Sequence, residues 1–169
     1  MKNIKLLLAI FGLIFAFTFS ASAQSITFTS IEGEKIDLEA QKGKVVVLAI
    51  GAQWLPLSNQ QAVYINKLAK KYAGSDVVFY FISADSTSPK SKNYASDEDL
   101  RKFAVTNKLT ISILRDSEGS TTLKRFKIDQ LPSFVILDKT GKLAAAPFSG
   151  IDPKGDISVK ISQEIDKVL

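Results

Sequence analysis

Length, composition and charge already limit the classes of protein to which this chain can belong. The chain has 169 residues, of which 46% are hydrophobic and 23% charged, with no cysteine and no histidine. This length suits one domain of ordinary size, and the composition is typical of a globular protein. The basic residues behind the net charge of +5 are scattered. We therefore expect no nucleic-acid partner, which would require a basic face with interleaved aromatic residues.

The missing residue types exclude several kinds of chemistry. Ser–His and Cys–His nucleophilic pairs cannot form without histidine and cysteine. Zinc and copper sites mostly use thiolate, thioether or imidazole ligands, and the only methionine is Met1. We therefore predict no metal site and no cofactor. Carboxylate, lysine, tyrosine and backbone chemistry remain available.

The N-terminal segment has the pattern of a secretory signal peptide. Two lysines precede an apolar run, and a small-residue cleavage pattern ends at Ala23. We predict a signal peptide over residues 1–23 and a mature domain over residues 24–169. The protein would then be periplasmic or secreted, with no stable membrane span after cleavage. An uncleaved transmembrane anchor is the alternative, although the apolar run is shorter than the usual span of about 20 residues.

The first half of the mature chain predicts two strands of a hairpin followed by a strand–helix–strand unit. Residues 25–29 and 35–38 alternate between apolar and polar side chains, which is typical of half-buried strands. The β-branched run Val45–Ile50 predicts a central strand covered on both faces, ended by Gly51. Pro56 can begin the next helix. The apolar run Val77–Ile82 then predicts a second strand, parallel to the first.

The second half of the mature chain adds shorter elements. Ser96 and Asp99 form a capping-box pattern at the start of a helix that ends near Asn107. Isoleucines at i, i+4 and i+8 predict a final amphipathic helix. The remaining elements are a short strand over 111–114, a brief helix over 121–126, a strand over 133–137, and a second hairpin strand over 142–146.

Two groups of acidic residues have simple structural explanations. Asp97, Glu98 and Asp99 could suggest a cation site, but they lie in the first turn of a predicted helix, where the helix dipole favours negative charge. Asp116 and Glu118 lie next to Gly119 and are typical of a turn rather than of paired acid–base groups.

Three segments resemble those of thioredoxin-like proteins. The strand from Gly43 runs into a turn that contains Trp54, as in the family, where a tryptophan precedes Cys-x-x-Cys at the start of the first helix. Leu131-Pro132 resembles the cis-proline segment, and Thr140-Gly141-Lys142 resembles the hairpin turn. With the signal peptide, the chain is similar to the exported TlpA- and ResA-type thiol–disulfide oxidoreductases. The resemblance implies an α/β three-layer sandwich, with a central mixed sheet, helices on both faces and an N-terminal β-hairpin.

The resemblance fails where that family performs its chemistry. Leu55 and Ser58 occupy the positions of the nucleophilic and resolving cysteines, and Ala49 and Gln61 occupy two positions that often carry a proton-handling acid. Disulfide exchange requires a thiolate that attacks sulfur. The side chains of this protein therefore cannot catalyse it. We expect no catalytic residues among these four degenerate positions.

The surface around the degenerate site is the predicted ligand-binding surface. Trp54 either forms a flat wall for a peptide or packs over the helix start, and Leu55 is expected to be partly buried. A cis Pro132 would expose the backbone of Leu131 for pairing with an extended chain, although the same bend also has a purely structural explanation. The full predicted surface comprises Gln53, Trp54, Leu55, Pro56, Leu57, Leu131 and Pro132.

Three functions remain compatible with these observations. The favoured hypothesis is a redox-inactive binding or scaffold protein of the periplasm that binds an extended polypeptide or an envelope protein partner. The second is an enzyme related to thioredoxin-family oxidoreductases that uses an external thiol or Ser58. The third is a structural subunit whose apolar surface is buried against a partner. Without histidine to activate it, Ser58 is better explained as a first-turn residue that satisfies backbone N–H groups.

Overall fold

The computed structural model describes residues 25–152 and 154–169. The predicted signal peptide and its cleavage site lie outside these residues. Within the described part of the chain, no helix is long and apolar enough to cross a membrane.

In the described residues, seven strands form one mixed sheet with four α-helices around it, which confirms the predicted α/β class. The order of the strands in the sheet is β2-β1-β5-β4-β3-β6-β7. The strands are β1 (Thr27–Ser30), β2 (Lys35–Asp37), β3 (Val45–Gly51), β4 (Val77–Ser83), β5 (Ser112–Arg115), β6 (Ser133–Leu137) and β7 (Phe148–Ser149). The helices are α1 (Pro56–Lys71), α2 (Asp97–Thr106), α3 (Thr122–Phe126) and α4 (Ile157–Val168).

Strand β3 lies in the middle of the sheet because every one of its residues is apolar and buried. It pairs in parallel with β4 and antiparallel with β6. Its side chains alternate between the two faces. Val45, Val47 and Ala49 join the core beneath α1, α2 and α4, and the intervening residues join a second core beneath α3. Helices therefore cover both faces, as the three-layer prediction required.

Two sequence predictions differ from the observed strands. Gly51 does not end β3 but is its last paired residue, opposite Ser83. The hairpin after β6 forms only in part over residues 142–146. Leu143 bridges Leu137, and the Ala144 N–H donates to the Ile136 carbonyl at 2.9 Å. The regular strand of this hairpin lies further along the chain, at Phe148–Ser149, where it pairs with the start of β6.

The capping box of α2 forms as predicted. The Ser96 hydroxyl accepts a hydrogen bond from the Asp99 N–H at 3.1 Å, and the Asp99 carboxylate accepts one from the Ser96 N–H at 3.0 Å. We expect Ser96→Ala to lower the free energy of unfolding by about 1 kcal/mol, since the first turn of α2 loses its cap. Urea unfolding measures this loss. A change no larger than that of the exposed control Ser88→Ala would contradict the prediction.

Candidate functional site

The candidate site lies where β3 ends and α1 begins. Trp54 is 49% exposed, Pro56 is exposed, and Leu55 and Leu57 are half-buried. Leu55 is the N-cap of α1 and makes no side-chain cap, while Pro56 occupies the first turn, where no N–H is needed. Leu55 is therefore partly buried as predicted, and Trp54 is the most exposed large apolar side chain of this turn.

Ser58 is fully buried beneath the turn. Its hydroxyl accepts a hydrogen bond from the Ala52 N–H at 3.2 Å. The sequence interpretation, that Ser58 satisfies a free backbone N–H, is correct in kind. The N–H belongs to the loop before the helix, however, and not to the first turn of the helix. Since the hydroxyl has no exposed surface and lacks a neighbouring base, its geometry does not favour a nucleophile.

Gln61 connects three elements at the base of the site. Its side-chain Nε2 donates to the carbonyl oxygens of Ile50 at 3.2 Å and of Ser133 at 2.7 Å. The amide is fully buried, and its Oε1 has no hydrogen-bond partner among the described residues. Gln61 thus ties α1 to the end of β3 and the start of β6. An acid at this position would handle protons, whereas this amide holds the backbone.

Gly51 leaves the space that these two side chains occupy. A Cβ atom on Gly51 would lie 2.4 Å from Gln61 Oε1 and 2.8 Å from Ser58 Oγ. Ala49, two residues earlier, is fully buried and pairs with Phe81 and Phe134. The position that often carries a buried acid in thioredoxins therefore belongs to the apolar core in this protein.

The segment before β6 reaches the same edge of the sheet as Trp54. Ile50 is opposite Ser133 in the β3–β6 ladder, so the residues after Ile50 and those before Ser133 emerge together. The Leu131–Pro132 peptide bond is cis. Pro132 is buried and Leu131 half-buried. The N–H and C=O of Leu131 form no backbone hydrogen bond among the described residues.

Sequence reasoning missed one residue of the site, Asp85, which follows β4. Asp85 is fully buried. Its carboxylate oxygens accept the Gln53 N–H at 3.0 and 3.2 Å, and one of them accepts the Ser83 hydroxyl at 2.8 Å. Burial raises the pKa of the Asp85 carboxyl, and the hydrogen bonds and the Arg115 guanidinium offset this effect only in part. The available signal was an acid directly after a buried strand.

The structure thus brings Gln53, Trp54, Leu55, Pro56 and Leu57 together on one turn, called the Trp54 turn below, with the Leu131 segment at the same edge. Ser58 and Gln61 lie beneath this surface. Among residues 25–152 and 154–169, no group of three acidic residues is close enough to hold a metal ion.

This fold, with a tryptophan turn at the start of α1 and a cis-proline segment beside it, defines a thioredoxin-like protein. The family model described as AhpC/TSA family matches residues 19–146, and the chain belongs to that family. ResA, a thiol–disulfide oxidoreductase of Bacillus thuringiensis subsp. konkukian, is 31% identical over 121 residues, which are 72% of this chain and 64% of ResA. The chain therefore matches less than two thirds of the length of that relative.

Two further comparisons agree with this family. The thioredoxin-like protein YneN of Bacillus subtilis is 31% identical over 119 residues, covering 70% of this chain and 65% of YneN. The crystal structure of a Chlorobium tepidum protein assigned as the thiol:disulfide interchange protein DsbE superposes with a TM-score of 0.70. It is 19% identical and covers 86% of this chain and 94% of its own. At that identity, the structural likeness concerns the fold alone.

Proposed function

We propose that this protein is an exported, redox-inactive binding protein that holds an extended polypeptide at the former active-site surface. The observation that carries the proposal is the 49% exposure of Trp54 at the turn between β3 and α1. Tryptophan combines a large apolar face with a polar edge and is enriched in protein interfaces. No thiol exists in the chain that could act there instead.

The free backbone of Leu131 supports an extended ligand rather than a folded one. An extended chain can pair its own N–H and C=O groups with an unpaired backbone segment, as in strand addition. Within residues 25–152 and 154–169, neither group of Leu131 has a backbone partner, and Leu131 lies at the edge where Trp54 emerges. The half-buried Leu55 and Leu57 would then contact alternate side chains of the ligand.

Export is part of the proposal and depends on the signal-peptide pattern that ends at Ala23. An exported protein with no cysteine cannot be stabilised by disulfides. The two apolar cores on either side of the sheet must therefore stabilise it.

The proposal predicts that Trp54→Ala weakens binding of an unfolded polypeptide. Reduced, S-carboxymethylated lactalbumin is a suitable probe because it stays extended in buffer, and calorimetric titration measures its affinity. We expect the dissociation constant to rise at least about tenfold, since tryptophans in interfaces commonly contribute more binding free energy than other residues.

Val63→Ala is the matched control for this experiment. Val63 lies on α1, is 54% exposed and is apolar, but it is more than a helical turn beyond the Trp54 turn. We expect its affinity to equal that of the wild type. Absence of binding by the wild type, or equal weakening in both variants, would contradict the proposed function.

A further inference from the structure

The structure contains one buried carboxylate at the candidate site, that of Asp85, and its hydrogen bonds reach across the chain. It follows β4, whereas the N–H that it accepts belongs to Gln53, 32 residues earlier in the turn after β3. The Ala84 N–H also donates to the Gly51 carbonyl at 2.7 Å. The residues after β4 are thus joined by one contact to the end of β3 and by the next to the Trp54 turn.

Gln53 precedes Trp54 directly, so the Asp85 carboxylate restrains the backbone from which Trp54 projects. A hydrogen bond to an ionised acceptor is roughly twice as strong as one between neutral groups. Both carboxylate oxygens contact the same N–H, which fixes the direction of that N–H as well as its distance. Leu55, on the other side of Trp54, is held by its own N–H to the Ala52 carbonyl at 3.1 Å.

We propose that Asp85 is a positioning residue of the binding surface: its buried carboxylate holds the Gln53 N–H, and thereby holds Trp54 in the orientation that contacts an extended ligand. This inference rests on the proposed function. Asp85 does not itself reach the ligand, because its side chain has no exposed surface.

The charged groups around Asp85 are few. Arg115 of β5 is the cation whose field reaches the carboxyl, and it also forms an ion pair with Asp97 of α2 at 3.0 Å. The groups that contact Asp85 from β4 and from the Trp54 turn are the uncharged Ser83 and Gln53. Since the chain lacks histidine, and Asp85 is the carboxyl group bonded to this turn, a change at the turn in acidic solution is expected to follow the protonation of Asp85.

The pH dependence that follows has opposite signs for stability and for binding. The folded protein raises the pKa of Asp85. The contribution of Asp85 to stability is therefore most favourable when the pH is below the ordinary pKa of aspartate, and it is lost as the pH rises through the folded pKa. The ionised carboxylate, in contrast, is the form that holds the Gln53 N–H. Binding should therefore weaken as the pH falls through the same range.

The test uses Asp85→Asn, which keeps the shape and one acceptor oxygen but removes the charge. Trp54 is the only tryptophan, so its emission reports on this turn without any ligand. We expect the wild-type emission to titrate with a midpoint above 3.8, the ordinary value for aspartate, and this titration to be lost in Asp85→Asn. We also expect Asp85→Asn to bind S-carboxymethylated lactalbumin several-fold more weakly than the wild type at neutral pH. The difference in melting temperature between Asp85→Asn and the wild type should shift in favour of the variant as the pH rises.

Asp116→Asn is the matched control. Asp116 is also a buried carboxylate, but it accepts N–H groups of Thr121 and Thr122 at the start of α3 rather than of the Trp54 turn. The Trp54 emission of Asp116→Asn should titrate as that of the wild type does. An unchanged titration in Asp85→Asn would overturn the assignment of Asp85. If the wild type binds no probe, the proposed function fails, whereas the emission titration still decides whether Asp85 positions Trp54.

Discussion

The double variant Leu55→Cys/Ser58→Cys should gain thiol–disulfide activity that the wild-type protein cannot have. The two positions are the N-cap and third helical residue of α1, which is the spacing of a Cys-x-x-Cys pair. A helix N-terminus lowers the pKa of a thiol and so favours the reactive thiolate. We expect a disulfide with a reduction potential between about −270 and −120 mV, the range from thioredoxin to DsbA.

Reduction of insulin by dithiothreitol, followed as turbidity, measures this gain. The wild type should be indistinguishable from buffer because it contains no thiol. Each single-cysteine variant is a matched control, since one thiol can form a mixed disulfide but has no partner to release it. If the double variant forms the disulfide but is inactive, the protein also lacks other groups that the exchange reaction requires. Activity of the wild type above buffer would refute the redox-inactive assignment.

The variant Gly51→Ala should produce the largest loss of stability at the site. Its added methyl would lie 2.4 Å from Gln61 Oε1 and 2.8 Å from Ser58 Oγ, far inside van der Waals contact. The Gln61 amide cannot move freely, because its Nε2 is bonded to the carbonyls of Ile50 and Ser133. We expect the free energy of unfolding to fall by about 1–3 kcal/mol, the range for an overpacked core.

Urea unfolding measures the effect, and Gly155→Ala is its control. The nearest atom to a Cβ on Gly155 is Asp152 Oδ2 at 3.5 Å, an ordinary contact, so this variant should remain close to the wild type. In Gly51→Ala/Gln61→Ala the clash with the amide is relieved. The loss of stability in this double variant should therefore be smaller than the sum of the losses in the two single variants. A loss below about 0.5 kcal/mol in Gly51→Ala alone, the size typical of harmless surface changes, would contradict the packing argument.

The elements that the sequence predicted well are those whose signal is local. The apolar runs of β3 and β4 report burial on both faces, and the Ser96 capping box is formed by groups three residues apart. The second strand of the last hairpin was predicted only in part. Its contacts next to the turn, Leu143 with Leu137 and Ala144 with Ile136, are local and form. The regular strand at Phe148–Ser149 lies further from the turn, and no local pattern marked it.

The residues of the candidate site also divide into those with a local sequence signal and those without one. Alignment of the Trp54 turn with a known motif identified the degenerate positions, since motif residues keep their spacing along the chain. It could not show that Gln61 bonds Ser133, 72 residues away, or that Asp85 accepts the Gln53 N–H. Such contacts depend on which strand ends lie side by side.

The sequence by itself determined that this protein cannot perform disulfide exchange, because that chemistry requires a sulfur atom that no residue supplies. It also determined the layered α/β fold, through hydrophobic runs whose period reflects the faces that they bury. Only the tertiary structure decided that Trp54 is exposed while Asp85, which accepts the N–H of the preceding residue, is buried. Exposure is a property of the packed chain, since a side chain loses contact with water only when residues distant in sequence cover it.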